Sequence, residues 1–313
     1  MKITILDAKT LGQDIDLSVF EQFGEFEIYQ TTTKDQTIER IQNSDIVITN
    51  KVVIDKAVLD ACQKLKLICI SATGMNNVDL EYAKQKRVKV TNVAGYSTKS
   101  VAQHTFSMLF YLLGQMRYYD EYVQSGQWEK DTLFTHIAHP FYEISGKKWG
   151  IIGMGTIGGE VAKIASAFGS QIQYYSTSGQ NSNQPYTQVS LNQLLRECDI
   201  ISIHAPLNDQ TQNLIAKEQL ALIKEDAVLL NLGRGGIINE EDLADALENK
   251  RFFTGLDVTQ FEPLSNQSPL FGIKDKQRLL ITPHIAWTSI EAREILLQGI
   301  VQNIKDYIRD HTL

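Results

Sequence analysis

The chain has 313 residues, 43% of them apolar and 21% charged, with a formal net charge of −7. This length exceeds one ordinary core and predicts two domains, and the scattered basic residues argue against nucleic acid as a partner. The longest apolar stretch, residues 108–113, is too short to cross a membrane. The beginning, MKITILDAKTLG, is not typical of a signal peptide. Three irregularly spaced cysteines, Cys62, Cys69 and Cys198, predict buried thiols in a reducing cytoplasm and no metal site.

Short apolar runs in the first hundred residues predict buried strands. They are KITILDA (2–8), FEIYQ (26–30), DIVITN (45–50) and LKLICIS (65–71). Amphipathic segments such as IERIQN and AVLDACQKL lie between them. Alternation of strands and helices at this spacing predicts an α/β fold, in which helices cover both faces of a parallel sheet.

The segment from Ser97 to Gly126 repeats apolar residues at helical spacing and predicts one long helix. Ser97 or Thr98 can cap its start. The helix is aromatic toward its end, where Tyr118 and Tyr122 lie. Two interpretations stay open: a connector that spans the core, or a helix whose outer face is a subunit interface.

A second series of strands follows, in the segments KKWGIIG (147–153), QIQYYS (171–176), DIISIHA (199–205), AVLLNLG (227–233), FFTGLDV (252–258) and LLITPH (279–284). Thr288 and Glu291 have the spacing of a capping box, so we expect a last helix after them. We expect this helix to return and pack on the first domain.

The second series opens with a glycine triplet, Gly153, Gly155 and Gly158, between a predicted strand and a predicted helix. The first glycine permits a tight turn, the second lets a pyrophosphate approach the backbone, and the third lets helix and strand pack closely. The positive end of the helix favours phosphate charge. This context predicts a dinucleotide site. Ser176 stands where an acidic residue usually meets the adenosine ribose and repels a 2′-phosphate, so the sequence leaves NADP(H) open. No Lys or Arg follows before Arg196 to bind a 2′-phosphate, so we modestly favour NAD(H).

Three later strand ends carry Arg234, Glu262 and His284. Ligands of open α/β sheets bind outside the carboxyl ends of the strands, so we expect these side chains to converge there. An arginine can hold a substrate carboxylate and polarise a ketone. A histidine can protonate the developing alkoxide, and a nearby carboxylate would favour its protonated form. The set predicts reduction of a 2-oxo acid.

Five motifs in this order resemble the D-isomer-specific 2-hydroxyacid dehydrogenases from end to end: GMGTIG, HAPLNDQTQNLI, NLGRGGIINEEDL, GLDVTQFEPL and PHIAW. TNKV, SATGMNNVDL, VAGYSTKSVAQHTF and YYSTSG are similar to the glycerate dehydrogenase/hydroxypyruvate reductase branch. The resemblance implies that Arg234 binds substrate, that His284 is the acid/base and that Glu262 supports it. It also implies cofactor contacts from Thr156, Ile157, Ser176, His204, Ala205, Pro206, Thr211, Leu232, Gly233, Asp257 and Trp287, with Asp257 on the carboxamide, and a substrate cradle at Thr73, Gly74 and Met75.

Lys51 and Tyr96 are further candidates for substrate contacts, because Lys51 follows a first-domain strand and Tyr96 could cover a small polar group. The resemblance implies two Rossmann-like or flavodoxin-like domains with a cleft between them. Residues 1–97 plus 286–313 would form the substrate domain and residues 98–285 the NAD(P)-binding domain, with dimerisation through the latter. Gln103 departs from the glutamate of many relatives. The alternatives are a D-3-phosphoglycerate dehydrogenase and a nicotinamide-sensing protein similar to the corepressors of this fold.

Overall fold

The computed structural model describes residues 1–181 and 184–311. It divides into two compact units, Met1–Ser97 with Thr288–Leu313, and Thr98–Trp287. Residues 312 and 313 of the first unit, and 182 and 183 of the second, lie outside the described residues. Within the described ranges, no helix combines the length and the apolar character needed to cross a bilayer.

The first unit is a five-stranded parallel sheet in the order β2-β1-β3-β4-β5. Its strands are β1 (Lys2–Ile5), β2 (Glu25–Ile28), β3 (Ile46–Thr49), β4 (Leu67–Ile70) and β5 (Lys89–Thr91). Its helices are α1 (Thr37–Ile41), α2 (Lys56–Ala61), α3 (Leu80–Gln85) and, from the end of the chain, α10 (Ile290–His311). Every residue of β3 and β4 is buried, as expected for central strands with both faces covered.

Helix α10 packs within the first unit, against β4. Its first turn is capped by Ser289, whose hydroxyl accepts a hydrogen bond from the amide of Ala292 at 3.2 Å. A Cβ on Gly299 would lie 2.6 Å from a methyl carbon of Val93, so this glycine permits close packing. Arg293 is buried and donates to the carbonyl of Leu11 at 2.8 Å. The helix therefore packs on its own sheet beside β4.

The second unit is a seven-stranded parallel sheet in the order β12-β11-β10-β9-β6-β7-β8. Its strands are β6 (Lys148–Ile152), β7 (Gln171–Tyr175), β8 (Thr187–Gln188), β9 (Ile200–Ile203), β10 (Val228–Asn231), β11 (Phe253–Leu256) and β12 (Leu279–Ile281). Its helices are α4 (Thr98–Leu113), α5 (Met116–Gln124), α6 (Thr156–Ala167), α7 (Leu191–Glu197), α8 (Lys217–Leu222) and α9 (Glu240–Asn249). The prediction of an α/β fold with parallel sheets is confirmed.

Two apolar cores cover the two faces of this second sheet. One is formed with α4 and α6 around Trp149, Tyr174 and Phe106. The other is formed with α7, α8 and α9 around Leu229, Ile203 and other aliphatic side chains. Double coverage explains why β9, β10 and β11 are buried along their whole length.

The prediction of one long helix from Ser97 to Gly126 is wrong. Helix α4 ends at Leu113, and α5 begins at Met116. Gln115 between them has a φ of +50°, a left-handed conformation that no α-helix continues through. The apolar repeat runs across the break, so periodicity alone could not reveal it.

The three cysteines are buried free thiols, as predicted. Burial raises the pKa of Cys62 to about 11 and that of Cys198 to about 12. A thiol with so high a pKa carries almost no thiolate at neutral pH, so these side chains act as small apolar groups.

Candidate active site

The turn between β6 and α6 is built around three glycines. Gly153 has a φ of +91°, and a Cβ there would lie 2.8 Å from the amide nitrogen of Ala205. A Cβ on Gly158 would overlap the carbonyl oxygen of Gly153. Gly155 differs, because in the described part of the chain no heavy atom lies within 4 Å of its Cβ position. Its backbone is thus open to a ligand directly before Thr156, where α6 begins and phosphate groups are favoured.

Strand β6 lies between β7 and β9, so the glycine turn stands where the strand order reverses, the usual ligand crevice of such sheets. At the ends of the neighbouring strands, the Ser176 hydroxyl and both ring nitrogens of His204 are buried without a hydrogen-bond partner among the described residues. Burial lowers the pKa of His204 to about 3, so the ring is neutral. Unsatisfied buried polar atoms cost free energy, and a dinucleotide's ribose and phosphate oxygens are suitable partners. These residues therefore fit a dinucleotide.

The loop after β9 carries Ala205, Pro206 and Thr211. The Thr211 hydroxyl donates to the carbonyl of Pro206 at 2.7 Å and accepts from the amide of Asn208 at 2.8 Å. Thr211 thus shapes the loop, with Ala205 buried and Pro206 exposed. Contact of these residues with adenosine stays a prediction.

Arg234 stands on a loop that Asn231 holds in shape. The Asn231 side chain donates from Nδ2 to the carbonyl of Arg234 at 2.9 Å and accepts at Oδ1 from the amide of Gly233 at 3.1 Å. The guanidinium is half-buried and donates from Nη1 to the carbonyl of Gly233 at 2.9 Å. The next residue, Gly235, packs so closely on the carbonyl of Thr259 that a Cβ would overlap it. The Arg234 loop consequently rests on the loop that follows β11.

His284 is paired with Glu262. Nδ1 of the imidazole lies 2.6 Å from Oε2 of the carboxylate, and the other carboxylate oxygen accepts from the amide of Thr259 at 3.1 Å. His284 has a φ of +55°, and its amide donates to the carbonyl of Thr282 at 2.9 Å. With Nδ1 engaged, Nε2 is the ring nitrogen left for another group.

Asp257 braces the backbone on the carboxyl side of His284. Its buried carboxylate accepts from the amides of Ile285 and Ala286, each at 2.9 Å, and from the hydroxyl of Thr282 at 2.6 Å. Burial raises the pKa of this carboxyl, but the hydrogen bonds outweigh burial and hold the pKa below its usual value. The predicted contact of Asp257 with the carboxamide stays a prediction beside this bracing role.

Sequence reasoning missed three residues that support the site. His104, on α4, lies with Nε2 3.1 Å from the Thr282 hydroxyl and 3.5 Å from Asp257 Oδ1. Asn231 and Thr282 complete the set. The threonine, two residues before His284, offered a weak signal, whereas nothing in the sequence links His104 to a strand end 178 residues away.

The remaining cofactor candidates of this unit have mixed exposure. Leu232 is buried, Trp287 and Ile157 are partly buried against the core, and Thr156 is exposed. These side chains are compatible with both packing and cofactor contact.

The candidates in the first unit follow β3, β4 and the edge strand β5. Lys51 is exposed after β3, and its amide donates to the buried carboxylate of Asp7 at 2.7 Å. The carbonyl of Thr73, after β4, accepts from Nδ2 of Asn92 at 2.5 Å. Gly74 and Met75 are partly buried, and Tyr96 is buried. Their roles toward substrate stay predictions.

Residues 106–286 match the family model described as "D-isomer specific 2-hydroxyacid dehydrogenase, NAD binding domain". The chain belongs to this family. The match falls inside the second unit, and it confirms the interpretation of the chain as an NAD(P)-dependent 2-hydroxyacid dehydrogenase.

Individual relatives of the dehydrogenase cover almost its whole length. It is 35% identical to the hydroxypyruvate reductase of Blautia hydrogenotrophica, over 99% of this chain and 97% of that protein. It is 33% identical to the glycerate dehydrogenase of Methylorubrum extorquens, over 98% and 96% of the two chains. Among solved structures, it is similar to an acyclic imino acid reductase in complex with NADPH and D-Arg, with a TM-score of 0.86, 31% identity and 99% and 98% of the chains covered.

Proposed function

We propose that this dehydrogenase interconverts hydroxypyruvate and D-glycerate, with glyoxylate as a second substrate. Two of its relatives are named hydroxypyruvate reductase and glycerate dehydrogenase. The pairing of His284 with Glu262 at 2.6 Å carries the proposal, because it supplies an oriented acid/base in the unit that holds the glycine turn.

A nicotinamide cofactor held at the turn of Gly153, Gly155 and Gly158 would supply hydride to the carbonyl carbon, or accept it in the reverse direction. His284 handles the proton. The carboxylate of Glu262 holds Nδ1 and leaves Nε2 to protonate the substrate oxygen during reduction. During oxidation, the neutral ring removes the proton of the hydroxyl group. Such a group contributes roughly 10²- to 10⁴-fold to the rate.

Arg234 binds the substrate carboxylate and polarises the carbonyl. Its guanidinium presents a planar set of donors suited to two oxygens at once. One Nη1 bond to Gly233 fixes the side chain, so less rotamer freedom is lost when substrate binds. In the first unit, the candidates for substrate contacts stay Lys51, the backbone at Thr73, Gly74 and Met75, and Tyr96.

NAD(H) is the favoured cofactor, and NADP(H) is accepted. The hydroxyl of Ser176 lies at the end of β7, where a carboxylate would repel a 2′-phosphate. A neutral hydroxyl imposes no such repulsion, and it bonds either form of the ribose. We therefore expect a preference much weaker than that of an enzyme with an acidic residue at this position.

The protein forms a homodimer through the second unit and acts in the cytoplasm. Large apolar side chains are exposed between α5 and β6: Phe134 is 91% exposed, Ile137 82% and Phe141 63%. Apolar surface of this kind marks a protein contact, and a symmetric second copy is the commonest occupant. Light scattering should give a dimer for the wild type and a monomer for the double variant Phe134→Glu with Ile137→Glu.

The proposed location in the cytoplasm is supported by the three free thiols, which suit a reducing compartment.

The test of function is a set of initial rates with hydroxypyruvate, glyoxylate, pyruvate, 2-oxo-isocaproate and 3-phosphohydroxypyruvate, each with NADH and NADPH. We expect the highest kcat/KM for hydroxypyruvate. His284→Ala should lower kcat by about 10²- to 10⁴-fold while NADH still binds. Unchanged turnover in His284→Ala would refute the acid/base role. A preference for 3-phosphohydroxypyruvate would refute the proposed substrate and identify the protein as a phosphoglycerate dehydrogenase.

A further inference from the structure

Glu240 is a buried carboxylate beside the proposed catalytic loops that the mechanism does not use. It is the first residue of α9 and is 8% exposed. Among the described residues, Glu262 is the charged group that acts on it, and it is of the same sign. Burial and this repulsion both raise the pKa of Glu240. A buried carboxylate without a cation costs stability.

The contact is with one peptide group. Oε1 of Glu240 accepts from the amide of Gln260 at 2.6 Å. The carbonyl of the same peptide belongs to Thr259, and it is the atom that a Cβ on Gly235 would overlap. Glu240 therefore binds the N–H of the Thr259–Gln260 peptide, and the Arg234 loop packs on the carbonyl oxygen of the same peptide.

The neighbouring peptide leads to the other side of the proposed site. The amide of Thr259 donates to Oε1 of Glu262 at 3.1 Å, and Oε2 of Glu262 pairs with His284. The Thr259 hydroxyl donates to the carbonyl of Phe261 at 2.9 Å, which tightens this turn. Two successive amides are thus bound by two different carboxylates. A rotation of the peptide at Gln260 would disturb both the Arg234 loop and the Glu262 side chain.

We propose that Glu240 is a positioning residue of the dehydrogenase, which fixes the Thr259–Gln260 peptide and thereby sets Arg234 and the Glu262–His284 pair together. The inference rests on the proposed roles of those three residues. What matters is the reach of the acceptor oxygen, and the negative charge is incidental. Loss of the hydrogen bond from Gln260 to Glu240 displaces both Arg234 and the Glu262–His284 pair, so kcat falls and KM rises together.

Two conservative variants separate reach from charge. Glu240→Gln keeps an oxygen at the same distance along the side chain and removes the charge. Glu240→Asp keeps the charge and withdraws the oxygen by one methylene. We expect Glu240→Gln to stay within about threefold of wild-type kcat/KM, and Glu240→Asp to lose about 10- to 100-fold, since small displacements of catalytic groups cost up to about 10²-fold.

The measurements are kcat and KM for hydroxypyruvate, the Kd of NADH by fluorescence, and the Tm. The Kd should stay within about twofold in both variants, because the hydrogen bond of Glu240 is to the amide of Gln260, outside the glycine turn. Glu241, the exposed next residue, provides the controls Glu241→Gln and Glu241→Asp, which should match wild type. Wild-type kinetics in Glu240→Asp, equal losses in both Glu240 variants, or a loss of NADH binding that parallels the loss of kcat would overturn the inference. His284→Ala in the same series tests the proposed function separately, because its activity decides the acid/base role whatever Glu240 does.

Discussion

Two adjacent glycines at the start of α6 allow the packing of the glycine turn to be tested with an internal control. Gly158 and Gly159 both lie in the first turn of the helix. A Cβ on Gly158 would overlap the carbonyl oxygen of Gly153 and lie 3.1 Å from a methyl carbon of Ile151. A Cβ on Gly159 meets no heavy atom within 4 Å in the described part of the chain. Gly158→Ala and Gly159→Ala therefore add the same methyl group to a closed and to an open position.

The expected difference in stability between the two variants is the cost of overpacking at Gly158. Alanine is favoured over glycine in a helix by about 0.5–1 kcal/mol, and both variants share this gain. Only Gly158→Ala pays for overpacking, which costs about 1–3 kcal/mol where the obstacle cannot move away. The obstacle is a backbone carbonyl on a residue with a φ of +91°, so it has little freedom to rotate. The two variants should then differ by about 1–3 kcal/mol, or roughly 2–12 °C in Tm for a unit of this size.

The assay combines thermal unfolding with an NADH titration. Gly159→Ala should be slightly more stable than wild type and bind NADH equally well. Gly158→Ala should be the less stable variant, and a displaced turn should weaken NADH binding by about tenfold, which corresponds to about 1.4 kcal/mol. Equal Tm values for the two variants would refute the packing argument. Lower stability with an unchanged Kd would show that the turn does not contact the cofactor.

Further predictions concern three titratable side chains. The two carboxylate oxygens of Asp257 accept hydrogen bonds from the amides of residues 285–286, so Asp257→Asn leaves at least one of these amides without an acceptor. We expect the free energy of unfolding in urea to fall by about 1–3 kcal/mol and kcat to fall as well; an unaltered unfolding curve would contradict the bracing role. In the folded chain the pKa of His204 is lowered to about 3, so the unfolded chain takes up the proton at a higher pH. The free energy of unfolding should therefore fall as the pH drops from about 6.5 toward 3, by at most about 1.4 kcal/mol per pH unit. His204→Gln should flatten this part of the plot of stability against pH, and an unchanged slope would exclude a buried neutral ring. The hydrogen bond from Arg293 lowers the pKa of Asp14 to about 2, so its contribution to stability is fully present above about pH 4 and is lost as the pH falls through about 2. Asp14→Asn should be less stable than wild type at pH 7, and the difference should shrink toward pH 2; a constant difference across this range would contradict the ion pair.

Sequence reasoning worked best where burial was two-sided. The segments around β3, β4, β9 and β10 are continuous apolar runs, because every residue of these strands faces a covered surface. It missed β5 and β8, which are three and two residues long and contain no buried residue, and so lack a distinctive apolar pattern. It joined α4 to α5, because a single glycine in a helical repeat is a weak signal and the left-handed Gln115 follows it.

By itself the sequence determined the parallel α/β class, the position of the glycine turn and the identity of the residues at strand ends, because these depend on local spacing and on which side chains need burial. It determined the family as well, since several motifs of the family occur along the chain in the same order. Only the tertiary structure decided that His284 meets Glu262 at Nδ1, that Asp257 and His104 meet at Thr282, and that Glu240 binds the peptide beneath Gly235. Such contacts join residues far apart in the chain, and their partners are set by how strands and loops pack, which no local pattern records.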